Sequence, residues 1–141
     1  MQPNRALLQP VVALAAWTFV MWLWMYATRI PAIRRANLKL DATIPRGEQM
    51  ATLPPEVRWK ADNYNHLFEQ PTVFYAVALV ASLLPQRAPA DVALAWAYVG
   101  LRVAHSLFQA TVNTIEVRFG LFLLSSLVLL ALVVRMALAL A

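Results

Sequence analysis

The stretch that decides the fold is Tyr98 to Arg118, YVGLRVAHSLFQATVNTIEVR. On an α-helix, where side chains three, four and seven apart share a face, it gathers Tyr98, Arg102, His105, Gln109 and Asn113 into one polar stripe. Most of the rest of that helix is Val, Leu, Ala and Phe. Apolar stretches flank the segment, so the stripe falls at membrane depth and carries a full arginine there. Burying such a charge in hydrocarbon costs about 2.5 to 3.5 kcal/mol on insertion scales, which marks an intramembrane Arg beside a His as a functional-site candidate.

The composition agrees with a membrane setting. Of 141 residues, 61% are hydrophobic and only 13% are charged, against about 25% charged in a typical soluble domain. The formal charge of +5 does not point to nucleic acid, because the basic residues cluster in one loop beside apolar segments and form no basic helix or aromatic-basic ladder. With no cysteine there is no disulfide framework, no thiolate metal site and no protein thiol nucleophile. His66 and His105 are too few and too far apart for a metal-ligand motif, so no metal is expected. Any thiol chemistry comes from a ligand.

Between Arg5 and Arg29 lie 23 uncharged residues, matching the roughly 20 needed to cross a bilayer. That run is too long for the apolar core of a cleaved signal peptide and has no clear cleavage site. Three further apolar stretches follow, giving spans at about 8–30, 65–84, 91–113 and 117–138, with Pro85 as the stop of the second. The expected architecture is one all-α integral membrane domain over residues 1–141, a four-transmembrane-helix bundle with short hairpin loops after the second and third spans. The one long connection, 31–64, adjoins seven basic residues (Arg29, Arg34, Arg35, Lys39, Arg46, Arg58, Lys60), while Arg5, Arg87 and Arg135 fall on the other side. The positive-inside rule then places that loop in the cytoplasm and both termini outside. Its Pro45, Gly47, Pro54 and Pro55 predict a segment folded back at the membrane surface. The absence of a retention signal favours a bacterial inner membrane.

This orientation turns scattered polar residues into a site. Arg29 ends the first span, Asn65 and Glu69 open the second, Arg102 through Asn113 run down the third, and Arg118 opens the fourth, all in one half of the membrane. Glu69 and Arg102 are expected to pair, since a charge inside a bilayer needs a partner. Taken singly, each residue is accounted for as helix-docking structure, and Arg29, Arg34, Arg35 and Lys39 as snorkelling headgroup anchors. Together they leave net positive charge beside donors and acceptors, which favours an anionic polar ligand. A lipophilic second substrate would enter from the lipid.

GLRVAHS (Gly100 to Ser106) followed by Arg118, and NYNHLFEQPTVFY (Asn63 to Tyr75), resemble two motifs of the MAPEG family, membrane-associated proteins in eicosanoid and glutathione metabolism. The first is similar to the family's third-helix Arg-x-x-His and the arginine opening its fourth helix; the second is similar to the Asn and Glu that open its second helix. The resemblance covers nearly the whole chain. It implies a homotrimer that binds glutathione as co-substrate between subunits, with Arg29, Asn65, Glu69, Arg102, His105 and Gln109 around the peptide and Arg118 as the catalytic residue facing the thiol. Gln109 stands where several members have tyrosine, and Phe119 and Phe122 where some have hydroxyl side chains. The Asn65 to Glu69 interval is one residue longer than the common spacing, so Asn63 or His66 are alternative contacts.

Two classes of function follow, with a third behind them. One is a glutathione transferase or peroxidase acting on a lipophilic electrophile, with membrane lipid around it. Another is a non-catalytic protein of the same fold that binds a lipid, a partner or glutathione. A small transporter is the third; its polar stripe stops short of the outer leaflet and no span is broken mid-membrane by Gly or Pro.

Overall fold

A computed structural model describes residues 3–45, 47–84 and 88–141. Pro85, read as a stop, and Arg46 and Arg87 from the charge pattern lie outside the described residues. Among the described residues six helices follow one another: α1 (Arg5–Arg35), α2 (Glu48–Ala51), α3 (Pro55–His66), α4 (Gln70–Leu83), α5 (Pro89–Thr111) and α6 (Ile115–Leu140).

Local chemistry sets their limits. Asn4 caps α1, its side-chain oxygen accepting from Ala6 N at 3.1 Å, and Pro55 and Pro89 occupy first-turn positions of α3 and α5, where a missing N–H costs nothing. α1 and α5 both stop on an asparagine in the left-handed region, Asn37 at φ 48° and Asn113 at φ 58°. Asn tolerates that conformation better than other residues with a Cβ. At the second stop Asn113 N bonds Phe108 O at 2.9 Å, closing the orphan carbonyls of the last turn. Asn113 therefore leaves the helical stripe and becomes the turn.

Among the described residues two helices, α1 and α6, are long and apolar enough to cross a membrane. At 1.5 Å per residue α1 is about 46 Å long, so its Arg34 and Arg35 end reaches beyond a hydrocarbon core of about 30 Å. α4, with 14 residues, spans about 21 Å on the same rise. α5 has the length, but its polar residues lower its apolarity. The second apolar stretch is not one continuous helix: the chain leaves α3 at His66, turns through Leu67, Phe68 and Glu69, and re-enters α4 at Gln70.

α1 packs on α3, α4 and α5; α5 packs on α6 and α3; α4 reaches α6. Along α1 a single seam is buried, Leu7, Pro10, Leu14, Met21 and Met25, at the three-, four- and seven-residue spacing of one helix face. It meets Phe74 and Ala78 of α4 and Ala95, Tyr98 and Val99 of α5 in one apolar core. Phe74 and Tyr98 stack at 4.7 Å between ring centroids.

The helices are tied at both ends. Asn4 N bonds Ser82 O at 2.8 Å and Arg135 Nε bonds Asp91 Oδ1 at 2.5 Å, so the starts of α1 and α5 share one end of the molecule with the ends of α4 and α6. At the opposite end Lys60 Nζ donates to Glu56 O at 2.8 Å and to Ala110 O at 3.2 Å, 5.2 Å from the Trp24 ring centroid. Burial holds the Lys60 ammonium pKa below its ordinary value. The loop between α1 and α3 does fold back: the Gln49 side chain accepts from Asp41 N at 2.8 Å and donates to Asp41 O at 2.6 Å.

Candidate functional site

α5 is an inside-out helix. Its buried face carries Asp91, Tyr98, Arg102, His105, Ser106 and Gln109, so the stripe read from the sequence points into the molecule. Arg102 is wholly buried at 0% exposure, its Nη2 donating to the backbone oxygen of His66 at 3.1 Å. Its Nε and Nη1, His105 Nδ1, Ser106 Oγ, Gln109 Oε1 and both amide atoms of Asn63 are buried without a protein hydrogen-bond partner. A buried polar atom without a partner costs about 1 to 3 kcal/mol. Such a concentration at one α3–α5 contact is a poor way to dock helices and a good way to receive polar groups.

The expected Glu69–Arg102 pair does not form. The break after His66 swings Glu69 to the surface, 65% exposed, and its carboxylate lies 2.6 Å from His66 Nδ1. The imidazole takes the carboxylate, and the backbone of the same residue takes the arginine. His66 itself is half-buried, its ring 5.2 Å from His105 and 5.5 Å from Phe122 by centroid. Residues 39 positions apart in sequence are thus neighbours. Among the described residues no group of three or more His, Cys, Asp or Glu is placed to hold a metal ion.

Arg118 lies in the first turns of α6, half-buried, its Nη1 donating to Asn113 Oδ1 at 2.6 Å. The left-handed turn residue thereby aims the guanidinium back along α5, close enough for its charge to reach both His66 and His105. Phe122, one turn further on, supplies the aromatic wall.

Arg29 and Asn65 stand apart from this cluster. They line a polar cavity of about 490 Å³ with Tyr26, Arg58, Asp62 and Tyr64, between the end of α1 and α3. Arg58 was read from the sequence only as loop charge; no spacing rule links it to Arg29, and only the fold of α3 against α1 brings them together. Beside the break lies an apolar groove of about 210 Å³, walled by Thr18, Phe19, Trp22, Phe68 and Tyr75. The chain therefore gathers His66, Glu69, Arg102, His105, Gln109 and Arg118 in one place, and Arg29 with Asn65 in another.

The described residues thus form an all-helical protein with two membrane-length apolar helices and a buried cationic cluster at one end, the make-up of a small membrane protein. The model of the MAPEG family matches residues 7–138, and the chain belongs to that family. Members of the family bind glutathione and form trimers, and they include glutathione-dependent transferases and peroxidases as well as non-catalytic proteins. No curated protein and no solved structure compared with the chain gives a match.

Proposed function

We propose that the chain is a glutathione-dependent membrane transferase or peroxidase acting on a lipophilic electrophile. It would work as a homotrimer of four-span subunits in a bacterial inner membrane, with both termini outside the cytoplasm. The observation that carries this reading is the convergence of Arg102, His105 and Arg118 on one end of the molecule beside buried polar atoms that lack protein partners. The positive charge of Arg102 and Arg118 suits the carboxylates of the tripeptide, His105 lies beside them as a further polar partner, and Glu69, exposed on its turn, suits the amine. Arg29 and Asn65 offer a second polar wall, which a neighbouring subunit would bring into register.

The chemistry asked of Arg118 is modest. A free thiol with a pKa of about 8.5 is mostly protonated at neutral pH, and a guanidinium alongside favours the thiolate. The N-terminus of α6, which opens four residues ahead of Phe119, adds its positive end to the same field. The thiolate would then attack an electrophile held in the apolar groove walled by Phe19, Trp22 and Phe68.

A second reading, binding without turnover, is favoured by Phe119 and Phe122, which present no hydroxyl to a sulfur. Calorimetry of glutathione against detergent-purified protein, with the thiolate absorbance recorded at saturation, separates these readings. Wild type should bind, Glu69→Ala should not, and Arg118→Ala should bind yet lose the thiolate signal. No binding at millimolar glutathione would refute both glutathione readings.

A further inference from the structure

A helix carried straight from α3 into α4 would leave His66 a passive neighbour of Asn65. The break at Leu67–Glu69 changes that. With Glu69 at φ −88° and ψ −102°, its carboxylate turns back to His66 Nδ1 at 2.6 Å. Arg102 Nη2 holds the same residue by its backbone oxygen at 3.1 Å, and the ring is packed by His105 and Phe122. The His66 side chain keeps 20% of its surface exposed, so it is fixed without being sealed.

A carboxylate only accepts, so Nδ1 carries the ring proton and Nε2 presents the lone pair. A held ring with a set tautomer and a free basic nitrogen is what general-base catalysis requires. The charged and titratable groups around the ring are Glu69 on its own turn, Arg102 and His105 on α5, and Arg118 on α6. Burial and the two arginines oppose a further positive charge there, whereas Glu69 supports one.

We infer that His66, oriented by Glu69, is the base that receives the proton of the thiol co-substrate, with Arg118 holding the sulfur anion that results. The assignment rests on the glutathione reading above and supplies the proton acceptor that Gln109, Phe119 and Phe122 do not. In the step, the S–H bond breaks, its electron pair stays on sulfur, and an N–H bond forms at His66 Nε2. When the thiolate forms its bond to the electrophilic carbon and the leaving group departs with its electron pair, the imidazolium returns the proton to that leaving group or to water. Arg102 is a positioning residue here, acting through the His66 backbone.

The test uses the full chain in detergent, as wild type, His66→Gln and His66→Ala, with glutathione binding followed by calorimetry and the bound thiolate by ultraviolet absorbance across pH. Both variants should bind glutathione within a few-fold of wild type. At neutral pH both should hold about tenfold less thiolate, an upward move of about one pH unit in its titration, and turnover of a chromogenic electrophile should fall about a hundredfold. Added imidazole should restore His66→Ala, which a merely structural role for the ring would not allow. If wild type and both variants bind while the thiolate titration is unmoved, the base assignment is overturned and the glutathione reading survives. Wild type that does not bind glutathione overturns both.

Discussion

Lys60 ties α3 to the end of α5, and its removal is a quantitative test of how the site is held. In Lys60→Met the stem is kept and only the ammonium goes. What is lost is the charge-assisted bond to Ala110 O, about 1.5 to 3 kcal/mol, and the contact with the Trp24 ring, about 0.5 to 1 kcal/mol. The bond to Glu56 O is local to α3 and counts for less. Burial, which pulls the Lys60 pKa down, shows that the charge pays a desolvation cost that methionine escapes. The net loss is about 2 kcal/mol, or about 6 to 8 °C in melting temperature for a chain of this size. Because the missing partner is the carbonyl of Ala110, the loss should be local: hydrogen exchange at Ala110 to Asn113 should speed up about 30-fold, while the amides of α6 beyond Ser125 are unchanged. An unchanged melt, or exchange that accelerates evenly along the chain, would refute the reasoning that Lys60 closes the C-terminus of α5.

Other perturbations have equally definite outcomes. Arg102→Met should leave the melting temperature within about 3 °C of wild type, since a buried guanidinium with one protein partner roughly cancels its own desolvation, yet it should release His66; a collapse of the fold would contradict this. At the other end, Arg135→Met should cost more than Asp91→Asn, about 2 against 1 kcal/mol, because the first strands a carboxylate that is 7% exposed whereas the second leaves an arginine that is already 42% exposed; denaturation of the two variants side by side measures the difference. Asn113→Gly should keep the turn and lose only the aim of Arg118, whereas Asn113→Ala should also cost about 1 kcal/mol for φ 58°; comparing melts with thiolate signal separates the two effects. The Thr43 hydroxyl and amide hold the Asp41 carboxyl below its ordinary value of 3.8. Its folded-state pKa being the lower one, the stability it lends the loop is complete above pH 3.8 and is lost as pH falls through the depressed value, which exchange at the Thr43 amide will report.

The spacing of Tyr98, Arg102, His105 and Gln109 was enough to place them on one face, and that face is the buried one. Periodicity carries this because a helix repeats every 3.6 residues whatever surrounds it. Asn113 sits at the next step of the same pattern and falls out of it, since helix ends depend on turn conformation. The break at Leu67–Glu69 has one local signal, Pro71 in the first turn of α4, whose missing N–H cannot continue the α3 ladder; that the turn hands His66 to both Arg102 and Glu69 is a long-range result the sequence does not show. Contacts such as Lys60 with Ala110 and Arg135 with Asp91 join residues 50 and 44 positions apart, where a sequence shows only isolated charges. Arg29 and Asn65 share a cavity wall for the same long-range reason, and Arg58 joins them unannounced.

The inside-out character of α5 bears on how the chain enters a bilayer. As it leaves the ribosome, α5 offers lipid an arginine, a histidine and a glutamine before α6 has been made. A lone helix of that kind partitions poorly, and each polar side chain adds to the penalty. Once the turn at Asn113 has formed and α6 has emerged, Asp91 and Arg135 meet at one end of the hairpin and Asn113 and Arg118 at the other, and the polar face can turn toward α1 and α3. On the four-span reading proposed above, membrane integration would be a pairwise event in the second half of the chain, in which a strongly apolar helix acts as chaperone to the polar one synthesised just before it.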